Sequence, residues 1–129
     1  MQTFKKPERL RSKKLIDKLF SRGNSFFIYP FKIIWMEIEF KSNSPVQVLI
    51  GISRKNKRLA VDRNKIKRLI REAYRKNKLP YHEYLCSKQK KVVLGLIYVG
   101  KETSKYAIIE QRIIEVLERL TEEHEKTIG

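Results

Sequence analysis

The sequence predicts an α+β fold: a small, mostly antiparallel sheet of three to four strands packed with three helices, in the order α-β-β-β-α-β-α. Three observations carry this. Two aromatic and β-branched runs, residues 24–40 and 46–53, have the composition of strands. A short unbroken apolar run, VVLGLIYV at 92–99, fits a buried strand. Segments 13–22, 62–78 and 105–120 instead repeat their apolar residues at helical spacing.

The first helix follows Ser12, a suitable N-cap, and stops at Gly23. Leu15, Ile16, Leu19 and Phe20 form its apolar stripe, and Lys13, Lys14, Lys18 and Arg22 take the other face. In NSFFIYPFKIIWMEIEF, Pro30 cannot donate to a ladder. A short strand is expected before it and a longer one from Phe31 to Phe40. KSNSP reads as a turn. In VQVLIGIS, Val46, Val48, Ile50 and Ile52 alternate with Gln47, Leu49, Gly51 and Ser53, so a hairpin with the preceding strand is expected. A basic loop leads to the second helix. LPYHEYLCSKQKK, 79–91, reads as turn and loop before the apolar strand. The last helix begins after Ser104 and buries Ile109, Ile113, Val116, Leu117 and Leu120.

At 129 residues the chain reads as one domain, 1–129, with an ordered core over about 9–122. Its net charge of +16 is large enough that a polyanion is the expected partner. Nucleic acid comes first and an anionic membrane second. No run approaches the ~20 apolar residues of a membrane span. The start, MQTFKKPERLRSKK, lacks the apolar stretch of a secretory signal. The lone Cys86 cannot form an internal disulfide, and a cytoplasmic location is expected. Charge is uneven: residues 1–105 hold 27 basic and 8 acidic side chains, whereas 106–129 hold 3 and 6. The binding body is therefore the earlier part.

The segment DRNKIKRLIREAYRKNK, 62–78, carries eight Lys or Arg against two acids. At about 100° per residue, Leu69, Ile70, Ala73 and Tyr74 gather around Ile66. Asn64, Arg68, Arg71 and Arg75 lie opposite, within roughly a 60° arc. Lys65, Lys67 and Lys76 flank them, and Arg63 sits nearer the apolar edge. Arginines at i, i+4 and i+7 repel one another by a few tenths of a kcal/mol per pair, so stability does not explain the strip. A solvated basic face is the ordinary reading of a charge run. Here the planar guanidinium forks, the amide of Asn64 and a second basic group (Arg54, Lys55, Lys57, Arg58) favour nucleic acid. No helix-turn-helix pair or zinc-ligand spacing accompanies the helix. Phe20, Phe26, Phe27, Tyr29, Phe31 and Trp35 could supply stacking surfaces for single-stranded RNA, although core packing is expected for most of the six.

AVDRNKIKRLIREAYR, 60–75, resembles the arginine–asparagine–arginine helix of the protein subunit of bacterial ribonuclease P. RLRSKKLIDKLFSRG, 9–23, is similar to that family's N-terminal helix, and VLIGISRK, 48–55, to its strand ending in serine and two basic residues. Order and spacing agree from residue 9 to about 120. Lys65 stands where the family has its second motif arginine, Ile16 where it often has an aromatic, and Arg58 where a glycine is common. The resemblance implies a left-handed βαβ crossover, where pattern alone predicts the right-handed one. It also implies a division of labour. Catalysis belongs to an RNA subunit that requires Mg²⁺, and no catalytic side chain, cofactor or metal ligand is expected in this chain. The partners implied are the catalytic RNA and precursor tRNA, with the protein a monomer in the holoenzyme and no membrane involved. Carried over by position, the RNA-binding residues are Arg63, Asn64, Lys65, Lys67, Arg68, Arg71, Arg54 and Lys55, with Arg75 added from the helical angle. The cleft for the 5′ leader is assigned to Lys13, Phe20, Phe31 and Ser53. The competing readings are a general or ribosomal RNA-binding protein and, last, a protein-only nuclease. The latter needs a carboxylate cluster, and Glu37 with Glu39 on one strand face has no obvious third ligand.

Overall fold

The structure, a computed structural model, describes residues 8–40, 43–53 and 62–126. Helix α1 is Lys13–Arg22. Strands β1 (Asn24–Ile28), β2 (Phe31–Glu37) and β3 (Val46–Ile52) follow, then α2 (Arg63–Asn77), α3 (Leu79–Ser87), β4 (Val92–Tyr98) and α4 (Tyr106–Lys126). The sheet order is β1-β2-β4-β3. β1 with β2 and β2 with β4 are antiparallel, and β3 with β4 is parallel. The α+β class and mostly antiparallel sheet are as expected from sequence, with four helices rather than three among the described residues.

The expected hairpin between the second and third strands does not form. β4 lies between them. Their burial explains why: Val92 to Leu96 are all buried, which suits a strand covered on both faces, whereas β3 alternates and takes the edge. That edge is partly covered by the segment before α1, where Leu10 N–H donates to Val48 O at 2.9 Å. The second correction is α3, which occupies most of the stretch read as turn and loop. Pro80 sits in its first turn, where a missing N–H is harmless. Tyr81 and Leu85, one turn apart, are its buried residues. The second strand also ends early, at Glu37.

Two apolar clusters sit on opposite faces of the sheet. Phe26, Phe31, Ile33, Trp35, Val46, Val48, Leu94 and Leu96 face α2, α3 and α4. Ile34 and Val93 face the other way, with Leu10 and Leu19 over them. The predicted seams hold. Ile66, Ile70, Ala73 and Tyr74 are buried on α2, with Leu69 partly so, and all five predicted residues are buried on α4. Helix α1 starts as predicted, with Ser12 Oγ accepting from Leu15 N–H at 3.3 Å. It ends with Gly23 N–H donating to Leu19 O at 2.8 Å.

A chain of polar groups pins the far end of α4. Buried His124 lies with Nδ1 2.8 Å from Glu37 Oε2 and Nε2 2.7 Å from the Tyr81 hydroxyl. Glu37 accepts, so Nδ1 carries the proton and Nε2 takes the tyrosine's. Burial pushes the imidazole pKa down more than the Glu37 contacts raise it. The ring is accordingly neutral. Burial also works to raise Glu37, but hydrogen bonds from His124 and Lys90 outweigh it and hold that carboxyl below the usual range. Nothing in the spacing of residues 37, 81 and 124 announces this chain.

Candidate nucleic-acid interface

Strand register shows which part of the sheet is open. On the α1 face, Ser25, Ile34, Gly95 and Leu49 form one row across the four strands. Helix α1 lies over this row. A Cβ built on Gly95 would stand 3.6 Å from Leu19 Cδ2, and one on Gly23 only 2.8 Å from Ile34 Cγ2. The next row towards the carboxyl ends of β3 and β4 is Phe27, Lys32, Ile97 and Gly51. None of its residues belongs to either core cluster. Phe27 is 57% exposed and Tyr29, in the turn beside it, 59%, with ring centroids 6.2 Å apart. Lys32 is exposed too, and Ser53 is half-buried just beyond Gly51, its N–H donating to Tyr98 O at 2.9 Å.

Of the predicted cleft residues, Phe20 is 52% exposed and Lys13 is exposed. Phe31 must be struck out. It is 0% exposed and packs edge-on to Tyr98 at 5.6 Å between ring centroids, on the helix-covered face. Strand alternation puts Phe31 on the side of Ile33 and Trp35, and leaves the open face to Lys32. Phe27, Tyr29 and Lys32 are accessible groups near it that the sequence assignment did not include. The available signal was the alternation itself: Phe26 and Phe27 cannot both face the core.

On α2, Asn64, Lys65 and Arg68 are exposed, and Arg63, Lys67 and Arg71 half-buried. Among the described residues none of these five cations takes part in an ion pair. The Nε of Arg63 is buried with no hydrogen-bond partner among them. Arg75 departs from the predicted strip, since its Nε donates to Glu72 Oε2 at 3.0 Å and a second guanidinium nitrogen holds the same carboxylate. That hydrogen bond raises the pKa of Arg75 and lowers that of Glu72. Arg54 and Lys55 lie outside the described residues.

These features share one end of the sheet. The carboxyl ends of β3 and β4 are adjacent because the strands are parallel. α2 begins after one and α4 after the other, and the β1–β2 turn lies at the same end. Among the described residues no three His, Cys, Asp or Glu side chains come together as a metal-binding group. Among the described residues Glu37 and Glu39 gather no third acid, and Glu37 is held by His124 and Lys90. Among the described residues no helix is long and apolar enough to cross a membrane.

A basic helix on one face of the sheet and an open, partly aromatic row on the other, sharing one end, are the features of a small polyanion-binding module. The family model for Ribonuclease P matches residues 4–121. The Ribonuclease P protein component of Porphyromonas gingivalis is 30% identical over 115 residues, covering 89% of this chain and 84% of that protein. The one from Chlorobium phaeobacteroides is 33% identical, covering 93% of this chain and 89% of its own length. The RNase P protein of Thermotoga maritima superposes with a TM-score of 0.65 at 24% identity, over 87% of this chain and 96% of that one. That of Staphylococcus aureus gives 0.60 at 20% identity, over 88% and 94%. The two solved structures speak to the fold. The chain belongs to the ribonuclease P protein family.

Proposed function

We propose that this chain is the protein subunit of ribonuclease P, which binds the catalytic RNA through α2 and receives the 5′ leader of precursor tRNA on the open row of the sheet. The observation that supports this best is the shared location of the two surfaces. The outward cations of α2 and the row of Phe27, Lys32 and Gly51 lie at one end of the sheet. Arg63, Lys65, Lys67, Arg68 and Arg71 suit the phosphates of a folded RNA, with Asn64 able to donate and accept at a sugar or base edge. Phe27, Tyr29 and Phe20 offer stacking faces to unpaired bases, which is sequence-tolerant binding of the kind a variable leader needs. Lys32 and Ser53 supply a cation and a hydroxyl beside them.

The protein's part in the reaction is positioning. Hydrolysis of the phosphodiester at the mature 5′ end is assigned to the RNA subunit with its Mg²⁺. Holding leader and catalytic RNA on one rigid body raises the local concentration of substrate at the RNA's site. The chain works in the cytoplasm, as one copy per holoenzyme.

Reconstitution with the cognate catalytic RNA at low Mg²⁺ tests this. Adding the protein should raise cleavage of precursor tRNA, and the protein alone should cut nothing. It should also bring precursor tRNA to the complex more tightly than mature tRNA at a fixed salt concentration. Equal affinity for both would favour a general RNA-binding protein.

A further inference from the structure

A hollow of about 460 Å³ lies between the first turns of α2 and the turn leading into α4. Lys65 and Leu69 line one side, and Thr103, Ser104, Lys105 and Tyr106 the other. The turn is held from below by the hydroxyl of buried Tyr98. It donates to Glu102 O at 2.6 Å, lies 3.0 Å from Ser104 Oγ and accepts Ser104 N–H at 3.2 Å. The two sides are tied together where Thr103 Oγ1 donates to Asp62 Oδ2 at 3.2 Å, directly before α2. The recess is thus a fixed part of the fold. Among the described residues its charged lining groups are Lys65 and Lys105, both exposed and neither in an ion pair. Asp62, the acid tied to the turn, is engaged by the Thr103 hydroxyl.

Two lysines on one recess, with the hydroxyl residues Thr103 and Ser104 and the side chains of Tyr106 and Leu69 in the same lining, make poor sense for stability. They complement a single anionic group that carries an apolar sugar face. We infer that the hollow takes one phosphodiester linkage of the RNA bound by α2, with Lys65 and Lys105 sharing the phosphate, so that the interface continues past the helix onto the 101–105 turn. The inference rests on the proposed RNA-binding role of α2. RNA is favoured over an acidic protein segment because Lys65 belongs to the helix whose outward groups are Asn64 and Arg68.

The test uses the full chain and cognate ribonuclease P RNA, with affinity measured over a salt series for Lys65→Ala, Lys105→Ala, the double variant and Arg68→Ala. Lys105→Ala should weaken binding, flatten the plot of log affinity against log salt by about one, and leave the melting temperature unchanged. Lys105→Arg should restore the slope. A shared phosphate predicts that the double variant loses less than the product of the two single-variant losses. If Arg68→Ala flattens the slope and Lys105→Ala does not, the hollow holds no RNA phosphate and the role of α2 stands. A double-variant loss equal to the product overturns the sharing. If no substitution changes RNA binding, the proposed function falls as well.

Discussion

Arg68 stands on the outer arc of α2, exposed, one residue before the partly buried Leu69. Arg68→Ala should therefore weaken RNA binding and reduce its salt slope by about one, with the melting temperature unchanged. A fall in melting temperature at unchanged RNA affinity would overturn that assignment. Arg75 is expected to matter less, because RNA would first have to draw it from Glu72. His82 makes a prediction about stability. The Tyr74 hydroxyl lies 2.7 Å from its Nε2, and burial, aided by nearby Lys78, lowers its pKa to about 4. The unfolded chain gains this proton near pH 6.5 and the folded one only near 4. The stability is full above about pH 6.5 and is lost as pH falls towards 4, by about 3 kcal/mol. Denaturant unfolding of the native chain and of His82→Gln from pH 7.5 to 4 should show the smaller drop in the variant. At this scale helical angle read Arg68 as facing out and Ile66 as facing in, but it missed that Arg75, on the same arc, is held by Glu72. The sequence was less readable on strands, where a slip of one residue exchanges the faces: Phe31 was expected in the cleft but is buried, and Lys32 and Phe27 are the exposed side chains.

Helix α1 rests on the sheet through Leu19, and Gly23 lets it turn directly into β1. A Cβ there would clash with Leu19 O as well as Ile34. Gly23→Ala should lift α1 from the sheet and cost about 1–3 kcal/mol, read as a lower denaturation midpoint. By moving the helix at the edge of the open row, it should also reduce the preference for precursor over mature tRNA. Ile66→Asp should act more severely, placing a carboxylate in the core on α2, and loss of the cooperative thermal transition is the expected result. The helices with strong stripes were evident from sequence, down to Ser12 and Gly23 at the ends of α1. α3 was not, because Leu79-Pro80 resembles a break and its buried face is only Tyr81 and Leu85. The position of β4 between β2 and β3 was missed for another reason. Pairing partners far apart in sequence leave no local trace, although an unbroken apolar run beside an alternating one hints at centre and edge.

For the whole molecule the excess of +16 dominates. Self-repulsion opposes compactness, so added salt should raise the melting temperature of the free protein. The same salt should lower the stabilisation conferred by bound RNA, since binding to the folded state alone raises stability by mass action and weakens as salt rises. Calorimetry with and without catalytic RNA, at several salt concentrations, should give trends of opposite sign. A common sign would argue against a phosphate-dominated complex. The general destination of the charge was legible from composition. That the open row and the α2 cations share one end depends on β3 and β4 being parallel, which the expected hairpin concealed.

Helix α4 starts at that crowded basic end, and its last turn is fixed by His124 beside Glu37 at the opposite one. Along the way it carries six glutamates against three arginine or lysine side chains. Along this helix the charge thus passes from the cations at the start of α2, beside its first turn, to an acidic excess on α4 itself. If α2 binds RNA as proposed, long-range attraction would draw that end of the protein towards the polyanion and turn the acids of α4 away before any atom touches.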